Sequence, residues 1–335
     1  MMTIKELAKK LNISPSTVSK ALNDSPEISL PTIKRVKEAA KIYNYKPNKV
    51  ALSLKSNSTK TIGVILPDIL NHFFAKVLLG IEKEATENGY NIITCLSNEF
   101  TSKEKDSLEL LSNGSVDGFI LSVAEETQVS KESAHFKSIK DQNIPLVMFD
   151  RVANDIECDK IIIDDFKAAY DATKFLIDKG RKQIALISNI DNLSVGKLRL
   201  DGYKKAIEDH QEVSTETLIL SVDRSEDPQK KIADFLDKHK NIDGIFAADN
   251  TSGVVAINLS RSKGKSVPED ISVIGFADAS IANYSTPKLS TINQHADEIG
   301  RMSLNLLIKR LHNKDEIKKY ETTVIPVTID QREST

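Results

Sequence analysis

The sequence predicts an N-terminal all-α helix-turn-helix headpiece followed by an α/β core of two doubly wound parallel-sheet lobes. Three observations carry that expectation. Residues 3–43 hold three short apolar-striped segments with capping residues at their starts. That head and the rest of the chain carry opposite net charge. From Thr61 onward, β-rich apolar runs alternate with amphipathic stretches of helical period, the pattern of parallel sheets covered by helices.

The head is read in chain order. Thr3 is placed to N-cap the first helix, and Glu6 three residues on completes a capping box. Ile4, Leu7, Ala8 and Leu11 then fall on one helical face. After the short connection Leu11-Asn12-Ile13, Ser14 is a second N-cap and Pro15 occupies the first helical position, where a missing N–H costs nothing. Val18, Ala21 and Leu22 form the inner stripe of this helix, leaving Ser16, Thr17, Ser19 and Lys20 to point elsewhere. A third helix begins near Ser29 and repeats Ile33, Val36, Ala40 and Tyr43 inward.

Charge names a partner for this head. Up to Lys60 there are twelve Lys or Arg and four Asp or Glu, a net +8, so the −2 of the whole chain hides −10 on the remainder. A basic block releases counterions on meeting phosphate, and an acidic body keeps other faces away from it. Small hydroxyls and one lysine near the start of the second helix suit a helix lying in a major groove.

The segment Thr17-Val18-Ser19-Lys20-Ala21-Leu22-Asn23, followed by Ser29, Thr32, Tyr45-x-Pro47-Asn48 and Ala51-x-x-Leu54, closely resembles the headpiece of the lactose-repressor (LacI/GalR) family. Thr61 to Leu66, Phe73-Phe74, Asp117-Gly118, Arg199-Leu200-Asp201-Gly202-Tyr203 and Ser272-Val273-Ile274-Gly275-Phe276 extend the resemblance to about Arg332. It implies a bacterial transcriptional regulator, a repressor by expectation. Pro15, Ser16 and Lys20 match base-reading positions; Thr17, Ser19, Asn23, Ser29 and Asn48 match phosphate-contacting or helix-orienting ones. Thr3, Thr32, Tyr45 and Ala51 complete the expected DNA-binding set. Leu54 matches the leucine that paired hinge helices press into the minor groove, its alternative being an ordinary buried hinge leucine. Lys20 stands where relatives often carry arginine, a better bidentate fork.

The same resemblance implies a periplasmic-binding-protein-like core and sets the boundaries. Residues 1–46 form the DNA-binding head, 47–60 a hinge helix and linker, and 61–335 the effector-binding and dimerisation core. Lobe 1 is expected at about 61–161 and 290–320, lobe 2 at about 162–289 and 321–335. The expected strands include Ile62-Leu66, Asn91-Leu96, Gly118-Val123, Pro145-Phe149, Gln183-Ile187, Leu218-Val222, Gly244-Ala247 and Ile271-Phe276.

Open α/β sheets bind ligands at the carboxyl ends of their strands, which in a two-lobed version face each other across a cleft. The loops after those strands supply the candidate effector residues Phe73, Phe74, Asp150, Arg151, Asp164, Arg199, Asp249, Asn250 and Asp278. Arg199 ranks first because it matches a ligand-contacting arginine of the family; its alternative is a surface ion pair with Asp201 or another carboxylate. At least one of Phe73 and Phe74 is expected to pack inside the lobe, and Asp164 and Asp165 have N-capping as an alternative. Asp249-Asn250 reverses an order common among relatives, Ala277 replaces a frequent aspartate, and Leu193 and Val195 are apolar where a polar loop is usual. The implied effector is a small polar molecule, a sugar or sugar derivative by analogy. The implied assembly is a homodimer on a pseudo-palindromic double-stranded operator, and a chain ending at Thr335 without an appended heptad helix points to a dimer rather than a tetramer. A constitutive DNA-binding regulator without an effector is the alternative.

Other classes fit less well. There is no G-x-G-x-x-G, no G-x-x-x-x-G-K-[ST] and no Ser/His/Asp set, so no enzyme is expected. No metal, catalytic residue or cofactor is expected. Cys95 and Cys158 make neither a metal spacing nor a disulfide framework and are expected as small buried residues. No signal peptide or membrane-spanning run is read, which fits the cytoplasm.

Overall fold

A computed structural model describes residues 2–45, 58–210, 217–223, 225–277, 279–313 and 319–335. The chain forms two compact units, Met1–Thr59 and Lys60–Thr335. In the first unit, α1 (Ile4–Leu11) starts on the expected capping box: Glu6 N–H donates to Thr3 Oγ1 at 3.3 Å, and Thr3 N–H donates to Glu6 at 2.7 Å. Those bonds hold the Glu6 carboxyl below the usual carboxylate range. In α2 (Pro15–Leu22), the N-cap hydroxyl of Ser14 accepts from Thr17 N–H at 3.0 Å. The third helix, α3 (Leu30–Ile42), closes the bundle, with Leu7, Val18, Ala21 and Val36 fully excluded from water. Tyr43, expected on the inner face, is 41% exposed. It lies at the C-cap, after the helical period has ended, and Lys10 Nζ sits 4.6 Å from its ring centre. Ala39 joins Ala40 in the core instead. The expected hinge helix, with Asn48, Ala51 and Leu54, lies outside the described residues.

The second unit is built on two six-stranded sheets. In chain order the strands are β1 (Thr61–Leu66), β2 (Asn91–Leu96), β3 (Gly118–Leu121), β4 (Leu146–Phe149), β5 (Asp159–Ile163), β6 (Ile184–Ser188), β7 (Leu218–Ser221), β8 (Gly244–Ala247), β9 (Ser272–Phe276), β10 (Ser290–Asn293), β11 (Thr322–Ile325) and β12 (Thr328–Asp330). The first sheet runs β11-β5-β4-β3-β1-β2 and the second β12-β10-β9-β8-β6-β7. All pairs are parallel except β10 with β12. Strands β3, β4, β6, β8 and β9 are buried throughout, as strands covered on both faces must be, and their sequences are accordingly continuous apolar runs. The edge strand β2 is largely exposed.

The helices that matter for the cleft are α4 (His72–Glu87), α5 (Thr101–Ser112), α6 (Glu125–Ser130), α7 (Ala134–Asp141), α8 (Asp165–Asp178), α9 (Ser194–Asp209), α10 (Pro228–Lys238), α11 (Ser252–Ser262), the short α12 (Ala279–Ala282) and α13 (Ala296–His312). The lobe boundaries read from sequence are corrected in three places. The chain passes between lobes after β5, at Ile163. Strand β10 still belongs to the second sheet, so the return crossing follows Asn293 rather than preceding Ser290. Strand β11 completes the first sheet, and β12 crosses back to the second. Strands of three to five residues have too few side chains for alternation to reveal which sheet they join, and β-pairing is set by the partner.

Helices α4 and α13 meet backbone to backbone. A Cβ at Gly80 would lie 2.2 Å from Asp297 O, and one at Gly300 would lie 2.1 Å from Val77 O. Arg310 near the end of α13 locks the same region, donating at 2.9 and 2.7 Å to the buried Asp159 carboxylate at the start of β5. Gly300→Ala is therefore expected to force these helices apart and destabilise the core by about 1–3 kcal/mol. Denaturant unfolding with an unchanged midpoint would contradict the close approach.

Candidate functional site

The carboxyl ends of both sheets open onto one cleft of about 710 Å³ between the lobes. Phe73, Phe74, Asp150 and Arg151 border it from the first lobe; Arg199, Leu193, Val195, Asp249 and Asn250 border it from the second. The strand-end rule thus brings together residues far apart in sequence.

Arg199 lines it from α9. It is 4% exposed, and its Nε donates to Asp165 Oδ1 at 2.7 Å. One terminal nitrogen donates to Ala248 O, at the end of β8, also at 2.7 Å. The guanidinium carbon lies 3.5 Å from the ring centre of Phe276, the last residue of β9. The carboxylate, carbonyl and aromatic face therefore fix the planar group while leaving N–H donors for the cleft. Asp165 is buried, and desolvation pushes its carboxyl up to about 6 against the pull of Arg199. Asp164 has another job: it is exposed, and its Oδ1 N-caps α8 by accepting from Lys167 N–H at 2.9 Å. Of the two aspartates, Asp164 takes the N-capping alternative and Asp165 turns inward to Arg199. Asp165 shares a helical face with the buried Ala168, Ala169, Ala172 and Leu176, a spacing that marks it as inward. Arg199 likewise pairs inward with Asp165 instead of at the surface with Asp201.

Across the cleft, Asp150 follows β4 in the left-handed region, at φ 58°. Burial raises its carboxyl above the ordinary range, with Arg151 and Arg199 opposing that shift. Arg151 Nη1 donates to both Glu99 carboxylate oxygens, at 2.7 and 2.9 Å, and the guanidinium lies 5.3 Å from the ring centre of Phe74. Glu99 also accepts from Glu125 N–H at 2.8 Å, tying the start of α6 to the same network. Phe73 and Phe74 are 7% and 1% exposed and pack edge-on to one another, while Phe74 meets Phe149 inside the lobe. Phe74 is thus the ring that packs within.

Asp249 and Asn250 part company. Asp249 accepts from Thr251 N–H and Ser252 N–H, both at 2.9 Å, and so organises the start of α11. Asn250 reaches over the cleft to donate to Asn71 Oδ1, the oxygen that also caps α4 through Phe73 N–H. A second link joins the lobes at Gln128 of α6 and Ser194 of α9, with Gln128 Nε2 donating to Ser194 Oγ at 3.0 Å. Asn71, Gln128, Ser194 and Glu99 had no distinctive sequence signal, because polar residues in loops and at helix ends have many ordinary uses. Asp278 lies outside the described residues. Among those described, no group of three or more His, Cys, Asp or Glu could hold a metal ion. Cys158 is buried, its thiol pushed up to about 12 by desolvation, and Cys95 is half-buried.

On the head, Pro15, Ser16 and Lys20 are exposed along α2, with Thr17 and Ser19 partly so. Ser16 and Thr17 hydroxyls lie 2.7 and 2.8 Å from Ser14 Oγ. Asn23 donates to Ser19 O at 2.9 Å, closing the helix. Ser29 and Thr32 share a hydroxyl pair at 2.9 Å at the start of α3. Lys20 pairs with Glu27, an exposed contact worth about 0–1 kcal/mol that a phosphate or base edge can displace. Tyr45 is half-buried, its N–H donating to Ala40 O at 2.8 Å, so it anchors the end of the head.

A capped three-helix head with an exposed hydroxyl-rich second helix, joined in one chain to a two-lobed cleft, defines a helix-turn-helix regulator with a binding-protein core. Residues 3–48 match bacterial regulatory proteins of the lacI family, and residues 173–335 match the periplasmic binding protein-like domain. The chain is 34% identical to the HTH-type transcriptional regulator RegA of Clostridium saccharobutylicum, covering 99% of each. It is 32% identical to a ribose operon repressor of Halalkalibacterium halodurans, covering 100% of this chain and 97% of the relative. The lac repressor dimer bound to operator and the anti-inducer ONPF shares the fold, with a TM-score of 0.86 and 20% identity over 100% of this chain and 99% of that one. The chain belongs to the lacI family of bacterial regulatory proteins, a family of DNA-binding transcription regulators and not of enzymes. Among the described residues, no helix is long and apolar enough to cross a membrane.

The Asp165 pKa sets a pH dependence. Its folded value, about 6, lies above the usual 3.8, so the folded core takes up a proton before the unfolded chain does as pH falls. The destabilisation from keeping this carboxylate ionised is full above about pH 6 and fades toward about pH 4. The stability gap between wild type and Asp165→Asn should therefore change between these limits. Thermal unfolding across that range would show it, and a gap constant with pH would contradict the assignment.

Proposed function

We propose that this chain is a ligand-controlled transcriptional repressor that binds a pseudo-palindromic operator as a homodimer. A small polar effector, a sugar or sugar derivative, occupies the cleft between the lobes. The observation that carries the reading is Arg199, held by Asp165, Ala248 O and Phe276 with donors left over at the wall of a 710 Å³ cleft. Fixed donors beside carboxylates are what hydroxyl groups need, and a relative matched over 97% of its length is named for a ribose operon. The effector residues of this proposal are Phe73, Asp150, Arg151, Arg199 and Asn250, with Asp165 positioning the arginine.

Dimerisation is supported by exposed apolar side chains of the first lobe. Ile93 and Leu96 on the edge strand β2, and Leu79 on α4, are 39%, 36% and 63% exposed. A homodimer carries two α2 helices, one for each half-site of a pseudo-palindromic operator. Ligand closing the cleft would change the relation between lobes and so operator affinity; operator must change ligand affinity by the same factor. The setting is the cytoplasm, where operator DNA lies. The constitutive alternative draws on the direct Asn71–Asn250 and Gln128–Ser194 bonds, which close the lobes on each other by side chains of the protein itself.

Arg199→Ala should remove the effect of ligand on operator binding and leave that binding intact; a normal response in the variant would remove the cleft from the mechanism. Lys20→Ala should cost about 1–3 kcal/mol on the cognate operator and relax one base position. Equal losses on all sequences would assign Lys20 to phosphate. Operator affinity should fall with salt at a logarithmic slope near −0.9 per phosphate neutralised, and a flat response would contradict the basic-head reading.

A further inference from the structure

A second cavity opens between the lobes of the core, apart from the effector cleft. It measures about 530 Å³, within the range of small-molecule sites, and shares no lining residue with the cleft. Val123, Val152 and Ala153 of the first lobe give it an apolar wall. Lys131 and Asn154 of the first lobe, with Asn192 and Lys197 of the second, give it polar ones.

Its polar groups fall into two sets. Gln128 and Ser194 bond to each other across the lobes, and Asp155 is taken by Ser133 Oγ and by Lys137 Nζ at 3.8 Å. Lys131, Asn154, Asn192 and Lys197 are exposed, and their side chains make no hydrogen bond or ion pair with any described residue. The arginines of the cleft differ, since Glu99 neutralises Arg151 and Asp165 neutralises Arg199. Like charges on opposite walls of one cavity repel, and an anion between them turns that repulsion into attraction. Lys131 also closes α6 in the left-handed region, at φ 58°, where glycine is the ordinary residue.

We infer that this cavity is a second ligand site, for a small organic dianion that bridges the lobes through Lys131 and Lys197. The two ammonium groups meet the charge, the Asn154 and Asn192 amides donate to remaining oxygens, and the apolar wall covers the carbon skeleton. Phosphate monoesters and dicarboxylates share this chemistry. The chain itself ties the site to the cleft. Arg151 lines the cleft and Val152 the second cavity; Leu193 and Val195 line the cleft, and Ser194 between them lines the second cavity. A bridging anion therefore favours the lobe arrangement in which Gln128 meets Ser194, and it changes the affinity of a cleft ligand by the factor that ligand changes its own.

The test is calorimetry and thermal shift on the full chain with two dianions, glycerol 3-phosphate and succinate, each beside a counterpart of lower charge, glycerol and butyrate. At least one dianion should bind and raise the melting temperature while its counterpart does not. Lys131→Gln and Lys197→Gln should each weaken that dianion about tenfold or more, as loss of a charge-assisted contact does. Both lysines are exposed and unpaired, so without ligand both variants should melt as wild type does and keep its operator affinity. Binding of glycerol 3-phosphate alone would assign the site to phosphate esters, and of succinate alone to dicarboxylates; either supports the bridge. Neither heat nor thermal shift from either dianion at millimolar concentration would overturn the site. A dianion that binds both variants as tightly as wild type lies elsewhere, on the basic head or in the cleft, and would overturn it too. Weakening by one lysine variant alone would overturn the bridge between lobes. None of these outcomes bears on whether a sugar fills the cleft, so the two readings fail separately.

Discussion

The buried guanidinium of Arg199 is the constraint on which the cleft depends. An arginine 4% exposed must find opposite charge and hydrogen-bond acceptors or unfold the region around it. It finds Asp165 at the start of α8, Ala248 O at the end of β8 and the face of Phe276 at the end of β9. Three elements of the second sheet and its cover are thereby fixed relative to α9, which carries the arginine. The close passage of α8 and α9 at Gly202, where a Cβ would lie 2.2 Å from Phe166 O, holds the two helices at the separation that the ion pair needs.

The first lobe is organised by a comparable buried carboxylate. Glu104 of α5 is fully excluded from water, accepting from Ala124 N–H at 2.8 Å and Thr127 Oγ1 at 2.7 Å, with His135 Nε2 at 3.0 Å. This ties α5, α6 and α7 together, and Gln128 of α6, next to Thr127, reaches the other lobe at Ser194. Side-chain bonds between lobes are individually modest, about 0.5–1.5 kcal/mol. The two contacts, Asn71–Asn250 and Gln128–Ser194, can bias a pair of lobes joined by three chain crossings without locking it, the condition a ligand-shifted equilibrium requires.

Much of this was legible from residues alone, for identifiable reasons. The Thr3/Glu6 box, the Ser14-Pro15 start and the apolar runs of β1, β2 and β8 are local codes, fixed by capping chemistry and periodicity within a few residues. Arg199 came from a motif matched in order. What local codes could not supply was pairing at a distance. Asp164 and Asp165 look alike in sequence until the helical face is counted, and only the fold shows that the first caps α8 and the second meets Arg199. Asn71 and Gln128 act through partners 179 and 66 residues away. Strands β10 and β11 were assigned to the wrong lobes because a four-residue strand carries no label of the sheet it joins. Tyr43 failed for the opposite reason: its period was right, but the helix had already ended.

The measurement that bears most directly on a ligand-controlled operator-binding protein is selection of duplexes from random DNA by the purified chain, with and without pooled neutral saccharides and related metabolites. A palindromic site whose recovery changes with one pool is the result expected of a basic head governed by the cleft around Arg199. A palindrome recovered equally under every pool would contradict ligand control and leave a constitutive binder, and the absence of any selected site would contradict the head itself.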